Sequence, residues 1–585
     1  MSRAFLALLV TAALLRSALA DEPAKFERSA LAERFGAASE YHSPSLSPDG
    51  TRVVAVRWAD DGTSELTMDD FSGSGLRRVF AHAADMPRLE SCTWKTETLF
   101  LCVTSRFRDS VLKNLVAVSA DGTGERDLID NFFAIETLMA DDPTHVFVRR
   151  RNIFDTAWNR TYGTSVGTLD VTTGVFNDAK RFCGGAYWIT DNDGVGRVCN
   201  SERSFGVRPT PTANWVVFHP YRFPGPDWFY PLAFDERTTE VFYAELLNGR
   251  FALFAKAFAG DSSTRTVLAD SFASVVDVES IGKRARPAMA AVRDGLTRWE
   301  PIDPLVARVR SAVQRSFPAA VINVEQEDWN QRFYLVWVQH ESGPARGEYY
   351  RFDARDEQLD RFGPASEAGV GTSAAPTTRV EFKTNDGSPA VVHVRFPAGA
   401  TEPAPLVVIP SGRWGGADFV VPFLTASGYA VAWYPFERLQ PSVRMGAGWR
   451  STMAELEASI AELARGGKID PKRVCALSRD VGAYSVLMAA SERPALFRCV
   501  VGIETEVKPY DRATSLLARV PQISMPVLLF QQTSSRGADK LHEALASKGV
   551  RAELIDYDDM SFDLSRYRID LLTRLGDWLG EYLSP

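Results

Sequence analysis

The hydrophobic pattern of the chain changes near residue 374, and the two sides of this change predict different kinds of domain. From about residue 40 to residue 370, apolar strands alternate with polar turns, as in SLSPDGTRVVAVRW at 45–58 and VLKNLVAVSADGTGERDLI at 111–129. Recurring short strands of this type favour a radially repeated β architecture such as a propeller. A β-sandwich is the alternative, but a single sandwich would not readily absorb a segment of this length.

Beyond residue 374, short apolar strands alternate with helices. PLVVIPS at 405–411 is a wholly apolar strand, which is typical of a sheet covered on both faces. In the segment 451–467, apolar residues recur at helical spacing before a Gly-Gly stop. This alternation predicts a doubly wound, mostly parallel sheet. Since 585 residues exceed what one core holds, we expect a β-propeller domain over about 27–373 and an α/β domain over about 374–585.

The first twenty residues have the features of a secretory signal peptide. Arg3 provides a positive start, 4–15 form a short apolar run, and SALA at 17–20 suits cleavage before Asp21. An uncleaved membrane anchor is the alternative, although the run is short for a permanent span. No later stretch is predicted to cross a membrane. We therefore expect export across the inner membrane; the leader by itself leaves open a bacterial periplasm or release outside the cell, and the family resemblance described below favours the periplasm. The chain has a net charge of −8 and no basic run, which argues against nucleic-acid binding.

The six cysteines fall into three pairs that are close in sequence: Cys92 with Cys102, Cys183 with Cys199, and Cys475 with Cys499. An even number of cysteines in an exported chain favours disulfides. The first two pairs would join strands of the β-domain and the third would join two strands of the α/β domain, although the sequence leaves the connectivity open. No cysteine pair has accompanying histidines at zinc-site spacing, so we expect neither a metal nor another cofactor.

The segment VCALSRDVGAYSVLMAA at 474–490 predicts an apolar strand, a tight turn and a helix. This order is that of the nucleophile elbow of α/β-hydrolases, in which a serine occupies the centre of a G-x-S-x-G turn. Here Asp480 stands at the centre and Ser478 replaces the first glycine, while Gly482 is retained. The second half of the chain is therefore predicted to be an α/β-hydrolase domain with an altered elbow.

Three segments resemble the prolyl oligopeptidase family of serine peptidases, in particular its exported acylaminoacyl-peptidase and dipeptidyl-aminopeptidase branch. EYHSPSLSPDGTRVVAV at 40–56 is similar to the first blade of that branch, and FLTASGYAVAWYPF at 423–436 is similar to one of its strands. The longest match, at 469–502, is similar to the family's elbow segment without gaps from Asp470 to Ala490. The resemblance implies a propeller followed by a peptidase-like domain over nearly the whole mature chain.

The resemblance also assigns the family's functional positions to residues of this chain, and none of the three triad residues is retained. Asp480 takes the place of the serine, Ser535 takes that of the acid, and Phe562 lies near the place of the missing histidine. On the oxyanion side, the corresponding residues are Ser411, Gly412 and Val481. The resemblance therefore implies a degenerate catalytic site.

Serine-type catalysis needs a hydroxyl, a base that accepts its proton, and a group that orients the base. Asp480 has no hydroxyl, and no histidine follows His542 in the sequence. A carboxylate at a helix N-terminus would also compete for the N–H groups that stabilise an oxyanion. We therefore expect a catalytically inactive pseudopeptidase that binds peptides or a protein partner between its two domains.

Other interpretations fit the same residues. Asp480 could be a nucleophile, as in haloalkane dehalogenases and epoxide hydrolases of the same fold, but its ester would then lack a histidine for release. Ser478 could be a displaced nucleophile in a rearranged peptidase or esterase, and Asp480 could simply cap its helix. A purely structural envelope protein would instead have a filled space between its domains.

Overall fold

A computed structural model describes the chain over most of its length. The described residues are 28–36, 41–59, 61–106, 109–156, 159–179, 188–200, 204–220, 229–258, 263–294, 297–318, 320–340, 347–363, 376–384, 387, 389–400, 403–411, 419–435, 448–479, 481–505, 515–532, 537–557 and 565–583. The predicted signal peptide, residues 1–20, lies outside them.

The described strands of the N-terminal part form antiparallel sheets in which chain neighbours pair with each other. These strands are β1 (Tyr41–Leu46), β2 (Val53–Trp58), β3 (Ser64–Asp69), β4 (Arg77–His82), β5 (Arg88–Thr96), β6 (Leu99–Arg106), β7 (Asp109–Ser119), β8 (Arg126–Thr137), β9 (His145–Thr156), β10 (Asn159–Asp170), β11 (Phe176–Asp178), β12 (Trp188–Thr190), β13 (Gly196–Asn200), β14 (Ser204–Val207), β15 (Val216–Pro220), β16 (Phe229–Asp235), β17 (Glu240–Leu247), β18 (Arg250–Ala257), β19 (Thr264–Leu268), β20 (Ser274–Ile281), β21 (Arg286–Arg293), β22 (Thr297–Pro301), β23 (Ala320–Glu327), β24 (Phe333–His340), β25 (Glu348–Asp353) and β26 (Gln358–Arg361).

The largest of these sheets contains two blades that share strand β8. The first half of β8, from 126 to 132, pairs with β7, and the second half, from 132 to 137, pairs with β9. Asn131 lies at the junction with a φ of 58°, a left-handed conformation that asparagine tolerates better than most residues. The described strands therefore form seven blades of three or four strands each, which confirms the predicted propeller architecture.

The last blade packs against the first and closes the ring. The Gln326 side chain accepts a hydrogen bond from the Leu46 N–H at 2.8 Å and donates one to the Pro44 carbonyl at 2.9 Å. Apolar side chains of both blades, including Leu46 and Phe333, form one buried cluster. Since β1 and β23 belong to separate sheets, no shared strand joins the two ends of the ring in the described residues. Side-chain contacts join them, together with a hydrogen bond from the Trp329 N–H to the Pro48 carbonyl at 2.9 Å.

Two carboxyl groups on the first strands of neighbouring blades lie in an unfavourable environment. Burial raises the pKa of Glu279 on β20 to about 7, and the nearby charge of Asp277 adds to this effect. Burial also raises the pKa of Glu325 on β23 to about 7, with a further contribution from Glu279. The folded chain therefore favours the protonated form of this pair up to near-neutral pH.

The C-terminal part is an eight-stranded sheet with helices on both faces. Its strands are β27 (Thr378–Lys383), β28 (Pro389–Arg395), β29 (Ala404–Ser411), β30 (Ala430–Pro435), β31 (Ile469–Arg479), β32 (Cys499–Ile503), β33 (Val527–Gln532) and β34 (Ala552–Tyr557). The described helices of the chain are α1 (28–36), α2 (Pro304–Ser316, between two blades), α3 (Val420–Ala426), α4 (Gly448–Arg465), α5 (Val481–Glu492), α6 (Leu516–Arg519), α7 (Ala538–Ser547) and α8 (Ser565–Leu583), with a 3₁₀ turn at Val520–Gln522.

The sheet has the strand order β27-β28-β30-β29-β31-β32-β33-β34. Strands β27 and β28 are antiparallel to their neighbours, and β29 to β34 are mutually parallel. Helices α4, α5 and α7 bury apolar residues on one face, whereas α1, α3 and α8 bury theirs on the other. This arrangement confirms the predicted doubly wound, mostly parallel sheet, in which the central strands are apolar because both their faces are covered.

Helix α1 packs against the C-terminal core, although it falls in the range 27–373 predicted for the propeller. Ala32 and Phe35 of α1 are buried in the same cluster as α8. The close approach of the two helices depends on glycine, because a Cβ at Gly36 would lie 2.8 Å from the Ile569 backbone. Within the described residues, the chain therefore passes from the C-terminal core through the propeller and back to that core. The predicted domain limits themselves stay predictions.

Two of the predicted disulfides are present in the described residues. Cys92–Cys102 joins the paired strands β5 and β6, and Cys475–Cys499 joins the paired strands β31 and β32. Cys199 is also disulfide-bonded, but Cys183, its predicted partner, lies outside the described residues. In the part of the chain that the structure describes, no helix combines the length and apolar character needed to cross a membrane.

Candidate functional site

The candidate site lies where the parallel strands of the C-terminal sheet end. All six of these strands, β29 to β34, point in the same direction and finish at the same edge of the sheet. In open α/β sheets this edge is the usual place for ligands, because loops of variable sequence follow the strands there. The sequence-predicted site residues all follow or end these strands.

The strand and the helix that the sequence predicts on either side of the elbow are both present. Strand β31 ends at Arg479 and helix α5 begins at Val481, so a single residue separates the two elements. That residue, Asp480, lies outside the described residues. On the oxyanion side, Ser411 is the last residue of β29 and Val481 the first of α5, while Gly412 lies outside the described residues. The backbone therefore brings the elbow and the oxyanion-side strand to the same edge of the sheet.

Ser478 fills the position of the family's first elbow glycine and is buried there. Its Oγ donates a hydrogen bond to the Pro410 carbonyl at 2.5 Å, which ties β31 to β29 below the elbow. Gly482 leaves the space that this hydroxyl occupies, because a Cβ at Gly482 would collide with Ser478 Oγ and lie 2.9 Å from the Pro410 oxygen. With its side chain 1% exposed and its proton committed to a carbonyl, Ser478 is poorly suited to nucleophilic attack.

An ion pair that the sequence analysis missed lies beside the elbow. Arg479 Nε donates to Glu504 Oε2 at 2.6 Å, and both side chains are partly exposed. Glu504 follows β32 with a φ of 48°, and its N–H donates to the Phe530 carbonyl at 2.7 Å. This arrangement fixes a charged pair immediately before Asp480. The only sequence signal for it is that Arg479 ends one mostly apolar strand and Glu504 directly follows the next.

The predicted acid position follows strand β33. Ser535 lies outside the described residues. The next carboxylate in the sequence, Asp539 on α7, accepts a hydrogen bond from Gln531 Nε2 at 2.6 Å. The side-chain oxygen of Gln531, Oε1, accepts a hydrogen bond from the Ala538 N–H at 3.2 Å. Asp539 is therefore engaged in joining the start of α7 to the end of β33.

Strand β34 ends at Tyr557. Burial raises the pKa of Tyr557, and its hydroxyl donates to Asp570 Oδ2 at 2.7 Å. The loop after it, which would carry the catalytic histidine in a prolyl oligopeptidase, reads DDMSFDL at 558–564. Phe562 and the rest of this loop lie outside the described residues, and the loop contains no histidine.

The histidines of the chain make their described contacts elsewhere. For six of the seven, the partners are Trp58 for His42, Pro87 and Glu125 for His82, Asp142 for His145, Phe229 for His219, Asp294 for His393, and the Ala552 carbonyl for His542. The seventh, His340, ends propeller strand β24 opposite Ala320. No described hydrogen bond joins a histidine to Ser478. Within the described residues, no group of three or more His, Cys, Asp or Glu side chains is arranged to hold a metal ion.

A seven-bladed ring joined to a doubly wound sheet with a strand–turn–helix elbow defines an α/β-hydrolase fold with an attached β-propeller. Solved structures narrow this class. One structure from a study of two prolyl endopeptidases and their inter-domain dynamics is 14% identical to this chain, with a TM-score of 0.69 and coverage of 98% of this chain and 93% of that one. The chain has the prolyl oligopeptidase fold, as its sequence predicts.

Two further structures support the same fold. A puromycin-hydrolyzing peptidase from Mycobacterium tuberculosis is 14% identical, with a TM-score of 0.63 and coverage of 95% of this chain and 96% of that one. An acylaminoacyl peptidase from Pyrococcus horikoshii is 10% identical, with a TM-score of 0.56 and coverage of 93% and 96%. No protein-family model and no curated protein matches the sequence.

Proposed function

We propose that this chain is an exported pseudopeptidase with the prolyl oligopeptidase fold, which binds peptides or a protein partner without hydrolysing them. The observation that carries the proposal is that no histidine follows His542 in the sequence. The loop after β34 therefore has no imidazole to accept a proton from a nucleophile or to activate water. The carboxylate of Asp480 stands where the family has its serine.

The described surroundings of the elbow support the same proposal. The neighbouring hydroxyl, Ser478, is buried and bonded to a backbone carbonyl, so it does not replace the missing serine. Asp539 is engaged with Gln531, so it does not replace the missing acid. A hydrolase built on these residues would need a base from elsewhere in the chain.

We assign ligand binding to the space between the propeller and the C-terminal sheet. Pockets are common where domains meet, and the strand ends that carry the degenerate site are the usual ligand edge of such a sheet. A peptide would find hydrogen-bonding groups at those strand ends and the ion pair of Arg479 and Glu504 beside the elbow. No cofactor enters this proposal.

Export is part of the proposal and has two supports. The first twenty residues have the pattern of a cleaved leader, and the disulfides Cys92–Cys102 and Cys475–Cys499 suit an oxidising compartment. We expect the mature protein to begin at Asp21 and to occur in the periplasmic fraction of a bacterial host. Intact-mass analysis of protein from that fraction tests this part by itself, and an unprocessed chain in the cytoplasm would contradict it.

The catalytic part is tested by incubating the purified mature protein with aminoacyl, dipeptidyl and simple ester substrates. We expect no turnover above that of Asp480→Ala and Asp480→Asn, and no covalent adduct in intact-mass spectra. Asp539→Asn is the matched control, because it removes a carboxylate on the acid side of the site. Turnover or an adduct that disappears in both Asp480 variants, and persists in Asp539→Asn, would identify an aspartate nucleophile and overturn the proposal.

The binding part is tested separately with an array of immobilised peptides of varied length and charge. We expect a subset of peptides to be retained by the mature protein and by Asp480→Asn, because the neutral isostere preserves the shape of the elbow. Charge reversal in Arg479→Glu should change which peptides are retained. Retention that is the same for every peptide, or that does not respond to Arg479→Glu, would count against binding at this edge of the sheet.

A further inference from the structure

A buried carboxylate joins the propeller to the C-terminal sheet far from the elbow residues in sequence. Asp294 follows strand β21 at the turn that leads to β22, and its side chain is 2% exposed. Its oxygens accept from one arginine of its own domain and from two residues of the C-terminal sheet. We call Asp294, Arg298, Arg379 and His393 the Asp294 cluster.

The contacts of the cluster use both oxygens of the carboxylate. His393 Nε2 lies 2.9 Å from Asp294 Oδ1, and both side chains are buried. Arg298 Nη1 donates to Oδ2 at 3.0 Å, and Arg379 Nε donates to the same oxygen at 3.4 Å. Burial pushes the pKa of Asp294 upward, but the hydrogen bond from His393 and the arginine charges outweigh it and lower the pKa to about 2. The group is therefore an anion throughout the physiological range.

The two partners from the C-terminal sheet are themselves held in place. His393 on β28 pairs with Trp433 on β30, and the two rings are nearly parallel. Arg379 on β27 lies with its guanidinium 4.9 Å from the ring centre of Phe272, which belongs to the propeller. Each domain thus contributes both charged and aromatic groups to the same junction. Removing one partner of a buried ion pair is strongly destabilising, because the other charge then remains buried without compensation.

The cluster lies at the rim of the propeller that faces the C-terminal sheet. The other end of strand β21 carries Lys283 and Arg284 in the β20–β21 turn, and both pair with Asp141 of another blade at 2.7 Å. Since β21 runs for eight residues between these turns, the two ion-pair groups lie on opposite rims of the ring. The ion pairs of Asp141 with Lys283 and Arg284 connect two blades, whereas the Asp294 cluster connects the two domains.

We propose that the Asp294 cluster is a conformational device that holds the propeller against the edge of the C-terminal sheet, so that the two domains separate only when it breaks. Strands β27 and β28 are the first strands that the chain forms on its return from the propeller, so the cluster sits beside one of the two crossings between domains. This inference concerns contacts within the chain and does not rest on the proposed function.

The test compares Asp294→Asn with Asp141→Asn, the same substitution on the opposite rim. Small-angle X-ray scattering measures domain separation, and hydrogen exchange measures local opening of β27 and β28. In Asp294→Asn we expect a larger radius of gyration, a longer interdomain distance distribution, and exchange in β27 and β28 faster by about tenfold or more, as expected for a broken buried ion pair. Asp141→Asn should retain the wild-type scattering curve and exchange rates in these strands.

A second variant covers the case in which Asp294→Asn does not fold. Arg379→Met keeps the apolar stem but removes the interdomain charge and the contact of the guanidinium with Phe272. Circular dichroism establishes that each variant is folded before its scattering is compared. Scattering curves of folded Asp294→Asn or Arg379→Met that superimpose on the wild-type curve would overturn the proposal, even with faster local exchange. Equal expansion in Asp141→Asn would also overturn it, since the effect would not be specific to the junction.

Discussion

The space between Ser478 and Gly482 leads to a quantitative prediction for Gly482→Ala. The new methyl group would collide with Ser478 Oγ and lie 2.9 Å from the Pro410 oxygen. Neither neighbour can move easily, because Ser478 and Pro410 belong to adjacent central strands and Ser478 is 1% exposed. Overpacking a rigid core costs about 1–3 kcal/mol, and loss of the Ser478–Pro410 hydrogen bond adds about 1–2 kcal/mol. We therefore expect Gly482→Ala to destabilise the C-terminal domain by about 2–5 kcal/mol.

A double-mutant cycle separates the collision from other effects of the substitution. Ser478→Gly alone should cost about 1–2 kcal/mol, because it leaves the Pro410 carbonyl unsatisfied. Since the same change removes the colliding Oγ, Gly482→Ala should cost at least about 1 kcal/mol less in the Ser478→Gly background than in the wild type. Urea unfolding followed by fluorescence gives the free energies, and hydrogen exchange of helix α5 reports the site locally. Additive effects of the two changes, or a Gly482→Ala protein as stable as wild type, would refute the steric argument.

Three further outcomes are expected. Glu279 and Glu325 have higher pKa values in the folded chain than in the unfolded chain, so their contribution to stability is complete below about pH 4.5 and is lost as the pH rises through about 7. Replacing both by Gln should therefore raise the free energy of unfolding by about 2–4 kcal/mol at pH 8 relative to wild type, but not at pH 4.5. A difference that does not depend on pH would contradict this. Cys475→Ala with Cys499→Ala removes a disulfide between residues 24 positions apart, and should lower the free energy of unfolding in urea by about 3 kcal/mol. An unchanged midpoint would exclude a stabilising disulfide. Gln326→Ala removes two hydrogen bonds between the first and last blades. Amide exchange in β1 should therefore accelerate about tenfold or more, while exchange in β20 stays at its wild-type rate. Equal acceleration in both strands would show a global effect instead.

Much of the architecture can be predicted from local sequence patterns. The turn-separated strands before residue 374 indicate the propeller, and the apolar strands after it indicate the parallel sheet. The elbow is visible because an apolar strand, one turn residue and an Ala/Leu-rich helix follow one another directly in 474–490. The proposed loss of the catalytic triad also rests on the sequence, since it depends on Asp480 and on the absence of any histidine after His542.

The local patterns are less informative where a residue acts through distant partners. Ser478 appears in the sequence as a substituted glycine, yet its role depends on a carbonyl of β29 that lies 68 residues away. The pair of Arg479 and Glu504 forms only because β31 and β32 are adjacent in the sheet. Helix α1 lies before the propeller in sequence, but it packs on α8 at the other end of the chain.

Short-range periodicity and residue identity are enough to predict the two kinds of domain, the strand and helix that flank the elbow, and the proposed loss of the catalytic triad. How the ring closes and how the domains meet depend instead on contacts between residues that are far apart in the chain. Gln326 reaches Leu46 across 280 residues, and His393 reaches Asp294 across 99 residues. Such contacts depend on which strands become neighbours after the chain has folded, and burial then decides which charges are paired. No local pattern encodes that choice, so residues as ordinary in sequence as Gln326 and Asp294 form contacts between blades and between domains.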